Sequence, residues 1–207
     1  MSRTVAALAA AVLALPGLAL GEVSTWTVDP THSEAEFKVR HMMVSNVDGS
    51  LGAVAGTVVY DDKHPEKSTV EATIDVKGLD TRVEKRDQHL KSPDFFDVAK
   101  FPTATFKSTQ VKKKGKGKLE VKGDLTMHGV TKPVTLAVVG PSPAFKDPWG
   151  QTHRGFSATT KINREDFGLT WNKAIEGGGF IVGKDVDVTL TLEVLPKAPA
   201  TPAAAAK

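Results

Sequence analysis

The chain of 207 residues contains no cysteine. This absence excludes disulfide bonds, thiolate zinc sites, iron–sulfur clusters and cysteine nucleophiles. Aromatic residues are scarce as well, at 6%, and the 27 lysines and arginines barely exceed the 24 acidic residues. So small an excess of positive charge, with no aromatic residues interleaved among the lysines, argues against a nucleic-acid partner.

Recognisable catalytic and metal-binding motifs are missing too. The six histidines show neither HxH nor HExxH spacing, and no nucleophile elbow, glycine-rich phosphate loop or paired carboxylate site accompanies them. We therefore expect no metal, no cofactor and no catalytic residues. Arg86, Asp87 and His89 do look like a catalytic cluster. A lipid-modifying hydrolase or isomerase using Asp87 and His89 is one interpretation, and a network that ties a helix to the domain is the other.

The N-terminal segment is typical of a secretory signal. Arg3 precedes an apolar run over Thr4–Leu15, which is shorter than the roughly 20 residues that span a bilayer. Ala19 and Gly21 then place small residues where a signal peptidase reads them. We expect residues 1–21 to be removed and the mature protein to be periplasmic or secreted from a bacterium.

The rest of the chain divides into one domain and a tail. Residues 197–207 consist almost wholly of alanine, proline and lysine, which predicts a flexible tail. Residues 22–196 are long enough for one substantial hydrophobic core and too short for two. We therefore predict a single folded domain over this range.

Within that domain, apolar and polar residues alternate with a period of two. The most regular segments are 34–41, 70–77, 118–127 and 185–194. Such strands have one dry and one wet face, as in an antiparallel sheet. Less regular strand patterns lie at 25–28, 50–61, 103–110, 133–139 and 153–162. They bring the total to eight or nine strands, which favours a sandwich or a barrel.

One segment departs from this alternation. Thr81 and Glu84 have the spacing of a capping box, which predicts a helix over 82–91. The sequence Ser92-Pro93-Asp94 is typical of a second helix start, with proline at the first helical position. The segment therefore adds a short helical region to an otherwise all-β chain.

Two features bear on binding. Barrels of about eight strands have a lumen that holds side chains or one small ligand. The predicted inward faces carry many small residues, namely Ala35, Gly52, Ala72, Ala104, Gly123 and Ala158. The interior is therefore either a tunnel or a plain packed core. The basic run Lys112–Lys118 is interpreted as a solvated hairpin tip, or as a surface that makes transient contact with anionic lipid head groups.

Several ordered blocks of residues resemble the YceI-like family of polyisoprenoid-binding, lipocalin-like proteins. The blocks fall between Trp26 and Val194, at 26–33, 37–41, 74–76, 81–90, 92–97, 101–106, 123–133 and 162–169. The resemblance implies an extended eight-stranded antiparallel β-barrel with one short helical segment at about 82–98. It also implies a long hydrophobic tunnel that holds a polyisoprenoid or isoprenoid-quinone-like lipid for transport or storage, without catalysis.

Alternation and resemblance together give three groups of candidate site residues. The predicted tunnel lining consists of Phe37, Val39, Phe106, Leu125, Met127, Phe156 and Ile162. The predicted mouth or cover consists of Phe95, Phe96 and Trp171. The candidates for contact with a polar head group are His41, Arg40 and Arg86. A stress-protective barrel with a filled core is the alternative that needs none of them.

Overall fold

The structure is a computed structural model that describes residues 23–176 and 178–197. The predicted signal, and all of the predicted tail except Lys197, lie outside these residues. Within them the chain forms one α-helix, α1 (Glu84–Lys91), and short 3-10 helices at Pro65–Lys67, Val76–Gly78 and Arg164–Phe167. The strands are β1 (Val23–Val28), β2 (Glu34–His41), β3 (Ser45–Ser50), β4 (Ala53–Asp61), β5 (Thr69–Asp75), β6 (Thr103–Gly115), β7 (Lys118–Met127), β8 (Val130–Val139), β9 (Phe145–Lys146), β10 (Thr152–Asn163) and β11 (Val182–Pro196).

Eight of these strands close into an antiparallel ring. The order around the ring is β1-β4-β5-β6-β7-β8-β10-β11, and β11 pairs again with β1. Most neighbours follow each other in the chain, and α1 lies in the connection between β5 and β6. The predicted eight-stranded antiparallel barrel with one short helical segment is confirmed. No helix among the described residues combines the length and the apolar character that crossing a bilayer requires.

Strands β2 and β3 extend the sheet outside the ring. One edge of β11 pairs with two strands. Near its C-terminal end this edge pairs with β1, and over most of its length it pairs with β2. Strand β3 pairs with the other edge of β2. The sequence pattern predicted one strand over 50–61, whereas the chain breaks there between β3 and β4. Gly52 causes the break: its φ is +116°, and a Cβ at this position would lie 2.0 Å from the Asp75 carbonyl oxygen.

Helix α1 begins later than predicted, because the capping box does not form. The N-cap residue is Val83, which makes no side-chain cap. Thr81 instead donates from its hydroxyl and its amide to the Asp87 carboxylate. The predicted second helix start is in fact the end of α1, since Ser92 is the C-cap and its Oγ donates to the His89 carbonyl at 2.8 Å.

The inward-facing residues form two hydrophobic clusters. The first includes Trp26, Tyr60 and Phe156. The second includes Phe95 and Phe167, and Leu90 of α1 packs against it, so this cluster closes the barrel at the helix. The part of the barrel interior that side chains leave unfilled is lined mostly by residues of the first cluster and those packed against it.

Candidate functional site

An apolar cavity of about 150 Å³ lies inside the ring. Successive side chains of a strand point to opposite faces, so every second residue of the surrounding strands reaches the lumen. On β7, for example, Leu119, Val121, Leu125 and Met127 line the cavity. Among the described residues that line it there is no lysine, arginine, histidine or carboxylate.

Small residues create this space. Gly56 of β4 lies opposite Ala72 of β5, and Ala158 faces the lumen from β10. Gly123 acts differently, because a Cβ there would lie 2.4 Å from the Phe106 ring. The missing side chain lets the Phe106 ring lie against the wall of β7 instead of standing further into the lumen.

Several residues around the cavity keep accessible apolar surface. Val70, Ile74, Phe106, Leu190 and Leu192 pack against the first hydrophobic cluster yet are only partly buried. The side chains of the protein therefore do not cover their inner faces. Each Å² that a ligand removes from water here is worth about 25 cal/mol.

The predicted tunnel lining divides into two sets. Phe106, Leu125, Met127, Phe156 and Ile162 are among the residues that line the cavity. The prediction for Phe37 and Val39 needs correction, because neither is among them. Both belong to β2, which lies outside the ring between β3 and β11. Phe37 is buried there without reaching the cavity.

The predicted cover does not line the cavity either. Phe95 is buried, and its ring centroid lies 5.2 Å from that of Trp171. The His89 ring stands edge-on to both, at 5.1 and 4.9 Å. Phe96 and Trp171 pack against the second hydrophobic cluster. These aromatic residues form part of the packing that closes the barrel beneath α1.

The predicted head-group contacts also lie away from the cavity. Arg40 donates from Nη2 to the Met43 carbonyl at 2.8 Å, and His41 ends β2 outside the ring. Arg86 donates to the Thr81 hydroxyl at 2.7 Å and to its carbonyl at 2.8 Å. Arg40 and Arg86 thus hold local backbone in place.

Asp87 and His89 belong to separate hydrogen-bond networks. Burial acts to raise the pKa of Asp87, but hydrogen bonds from the Thr81 hydroxyl and amide outweigh it and lower that pKa below its ordinary value. His89 Nε2 lies 2.9 Å from Asp94 Oδ2. Neither Asp87 nor His89 lines the cavity, and this arrangement agrees with a structural network around α1.

Sequence reasoning missed a cluster of histidines and carboxylates outside the barrel. His153 Nδ1 lies 2.7 Å from Glu193 Oε1, and its Nε2 lies 3.2 Å from Asp147 Oδ2. Hydrogen bonds to Glu193 and then to Asp147 raise the pKa of His153, and one to Asp29 raises that of His32. The possible ligand atoms of Asp29, His32 and Glu193 lie within 4.8 Å of one another. The five residues come from distant parts of the chain, and only the Asp29–His32 spacing was visible in the sequence.

The chain is similar to known proteins in both sequence and structure. The sequence model of the YceI-like domain matches residues 26–194. A UPF0312 protein of Vibrio cholerae is 40% identical over 174 residues, which cover 82% of this chain and 89% of that protein. Among solved structures, BcnA of Burkholderia cenocepacia matches with a TM-score of 0.68 at 23% identity, over 80% of this chain and 98% of that one.

A polyisoprenoid-binding domain from Saccharophagus degradans, implicated in plant cell wall breakdown, matches with a TM-score of 0.58 at 14% identity. The match covers 85% of this chain and 100% of that domain. At these identities both structural likenesses concern the fold. The family match covers nearly all of the described residues, and the chain belongs to the family of YceI-like domain proteins.

Proposed function

We propose that the protein binds the apolar tail of a polyisoprenoid or isoprenoid-quinone-like lipid inside the barrel and transports or stores that lipid. The observation that carries the proposal is the apolar cavity, whose wall keeps accessible surface. The Saccharophagus degradans domain, which shares the fold and is named for polyisoprenoid binding, supports the choice of ligand class.

The cavity size sets what fits without rearrangement. An apolar cavity of about 150 Å³ is large enough for benzene, which has six carbons. About one five-carbon isoprene unit therefore fits as the wall stands, and a longer tail requires the wall to widen. Each unit buried contributes about 4 kcal/mol, at about 0.8 kcal/mol per carbon.

We infer a binding protein rather than an enzyme. The described residues of the cavity wall offer burial and no acid–base pair, and Asp87 and His89 lie elsewhere. A filled, purely protective core would lack the cavity. A binder returns its lipid chemically unchanged after long incubation, so recovery of a hydrolysed or isomerised product would favour the enzyme.

We further propose that the protein works outside the cytoplasm. The predicted signal at 1–21 supports export, and N-terminal sequencing of protein from the periplasmic fraction should then begin at Glu22. An intact Met1 form in the cytosol would contradict this. The exposed tip of the β6–β7 hairpin, within Lys112–Lys118, would make transient contact with anionic membrane.

The decisive experiment measures the lipid that the protein carries. Protein is purified from its native compartment, extracted, and the lipid is quantified by mass spectrometry for the wild type and for Phe106→Asp. Phe106 lines the cavity, and an unpaired carboxylate in so apolar a site costs several kcal/mol unless water enters with it. Thr109→Asp places the same charge on the exposed face of β6 as the matched control.

We expect an isoprenoid lipid with the wild type and with Thr109→Asp, and none with a folded Phe106→Asp. A folded Phe106→Asp protein with its full lipid content would refute the assignment of the cavity. If Phe106→Asp does not fold, Leu125→Asp repeats the test from β7. Absence of any lipid from the wild type, together with no uptake of added polyprenol, would refute the function itself.

A further inference from the structure

The seam between β8 and β10 is a short ladder, and in the ring only the β1–β11 ladder has as few residue pairs. Three residue pairs join the two strands, from Ala137↔Thr159 to Val139↔Ser157. The flanking β7–β8 and β10–β11 ladders contain ten pairs each. Beyond the third pair the strands diverge, and the Thr160 hydroxyl donates to the Thr135 carbonyl at 2.9 Å.

Pro133 limits how far the ladder could resume along β8. The Thr135 carbonyl points towards β10, so the backbone of residue 133, two positions away, faces β10 as well. Proline has no N–H to donate. The ladder already ends at Ala137↔Thr159, and continuing its register would bring Pro133 opposite Asn163, where one ladder hydrogen bond is missing. Proline at this position therefore disfavours pairing at the far end of the seam.

A groove of about 720 Å³ follows the unzipped seam. Outward-facing Thr135 and Lys161 line it together with inward-facing residues. Seven residues line both this groove and the cavity: Leu119, Val134, Leu136, Val138, Ala158, Thr160 and Ile162. Because seven residues line both, the groove and the cavity adjoin along this seam, and we call the unpaired stretch between β8 and β10 the slot.

The outer side of the slot is basic. Four lysines line it: Lys114, Lys118, Lys132 and Lys161. Two of these form ion pairs with acidic neighbours at 3.0 and 3.2 Å. Lys118 and Lys132 have no ion-pair partner in the part of the chain that the structure describes. The carboxylates of Glu120 and Asp166 also line the slot, so lysines outnumber carboxylates four to two.

We propose that the slot is the route by which a lipid tail enters the lumen, and that Lys132, at the unpaired end of the β8–β10 ladder, holds an anionic head group at its outer side. The ligand class is then a phosphate or diphosphate ester of a polyprenol, with its tail in the cavity and its head in solvent. This inference rests on the proposed function, since without a lipid in the lumen the slot has no tail to admit.

The route is tested by closing the slot. The chain has no cysteine, so Thr135→Cys with Lys161→Cys introduces the only two thiols, on opposite sides of the slot. The control is the double variant Lys161→Cys with Asp187→Cys, because Asp187 is paired with Lys161 in the ten-pair β10–β11 ladder. Each protein is treated with a short bifunctional thiol reagent, and uptake of polyprenyl phosphate from vesicles is followed with and without it.

Closing the slot should slow uptake at least about tenfold, which corresponds to a barrier higher by about 1.4 kcal/mol. The control pair should take up lipid at the uncrosslinked rate. Equal rates for both crosslinked proteins would overturn the route while leaving the proposed function intact. If the uncrosslinked proteins take up no isoprenoid lipid at all, the proposed function fails instead.

The head-group site is tested by charge. Lys132→Gln removes the lysine at the unpaired end of the slot, and Lys85→Gln removes a lysine that does not line it. The ligands are a polyprenyl phosphate, the matching neutral polyprenol and inorganic phosphate. The Lys132→Gln variant should bind the phosphate ester about fivefold more weakly and should bind the polyprenol as the wild type does.

Three outcomes would overturn this part of the proposal. Equal wild-type affinity for the ester and the polyprenol would mean that the head group is not recognised. Binding of inorganic phosphate as tightly as the ester would identify a site for free phosphate. Retention on anionic vesicles without extraction of their lipid would identify a membrane-contact surface.

Discussion

Filling the cavity from its own wall tests whether the space is open. Ala72 lines the cavity, between Gly56 on β4 and Phe106 on β6. Ala72→Leu adds three carbons to a space of about 150 Å³. At about 0.8 kcal/mol per buried carbon the gain is about 2.4 kcal/mol, and lost rotamer freedom offsets about 0.5–1 kcal/mol of it. The free energy of unfolding should therefore rise by about 1.5–2 kcal/mol, and Tm by about 3–8 °C.

Two measurements on the same protein decide the matter. The first is the thermal melt of lipid-free protein, and the second is the lipid taken up per mole. Ala72→Leu should raise Tm and lower the lipid content, because its side chain occupies the ligand's space. Ala55→Leu is the control: it is exposed on β4, and it should change the free energy of unfolding by no more than about 0.5 kcal/mol.

The sign of the Tm change is the critical result. If side chains already filled the barrel, the added carbons would overpack it and cost about 1–3 kcal/mol. A lower Tm for Ala72→Leu would therefore refute the open cavity. A higher Tm with undiminished lipid would place the lipid somewhere other than this lumen.

Three further predictions follow from individual contacts. The pKa of His153 is raised above its ordinary 6.5, so its ion pairs stabilise the fold below that pH, and this contribution is lost as the pH rises through the folded-state pKa. His153→Gln should therefore lower Tm near about pH 6 and much less near about pH 9. A loss of Tm that grows with pH would contradict this. Gly123→Val should displace the Phe106 ring and cost about 1–3 kcal/mol in chemical denaturation, since even a Cβ would lie 2.4 Å from that ring; an unchanged midpoint would show that the ring moves freely. Elemental analysis should find no stoichiometric metal, and a chelator should leave Tm unchanged, because the His32 Nδ1 already hydrogen-bonds with Asp29 Oδ2 at 2.8 Å; a fall of several degrees would instead assign a metal to this cluster.

Alternation in the sequence was enough to assign faces, but it could not assign strands to the ring. Leu125 and Met127 reach the cavity because a period of two depends only on the local backbone. Phe37 follows the same period and is buried, yet β2 lies outside the ring. Which part of β11 pairs with β1 and which part pairs with β2 is set by long-range contacts, and the residues of β2 carry no local signal of it.

The same distinction explains the error at the start of α1 and why the seam could not be predicted. Thr81 and Glu84 have the spacing of a capping box, but the Asp87 carboxylate accepts the Thr81 hydrogen bonds instead. Pro133 was visible in the sequence as a residue that disfavours pairing. That it faces β10 rather than β7 depends on the register of both ladders, which only the structure gives.

The cavity volume and the seam together indicate where the wall can widen for a longer tail. Beneath α1 the barrel is closed by buried residues such as Leu79, Phe95 and Phe167, and opening it there would expose the second hydrophobic cluster. Around the first cluster, widening the wall would separate the Arg154 guanidinium from the Trp26 and Tyr60 rings, whose centroids lie 5.4 and 5.8 Å from it. Parting β8 from β10 breaks three residue pairs, at about 1 kcal/mol net for each hydrogen bond. One additional isoprene unit returns about 4 kcal/mol, so a tail can open this seam by its own burial.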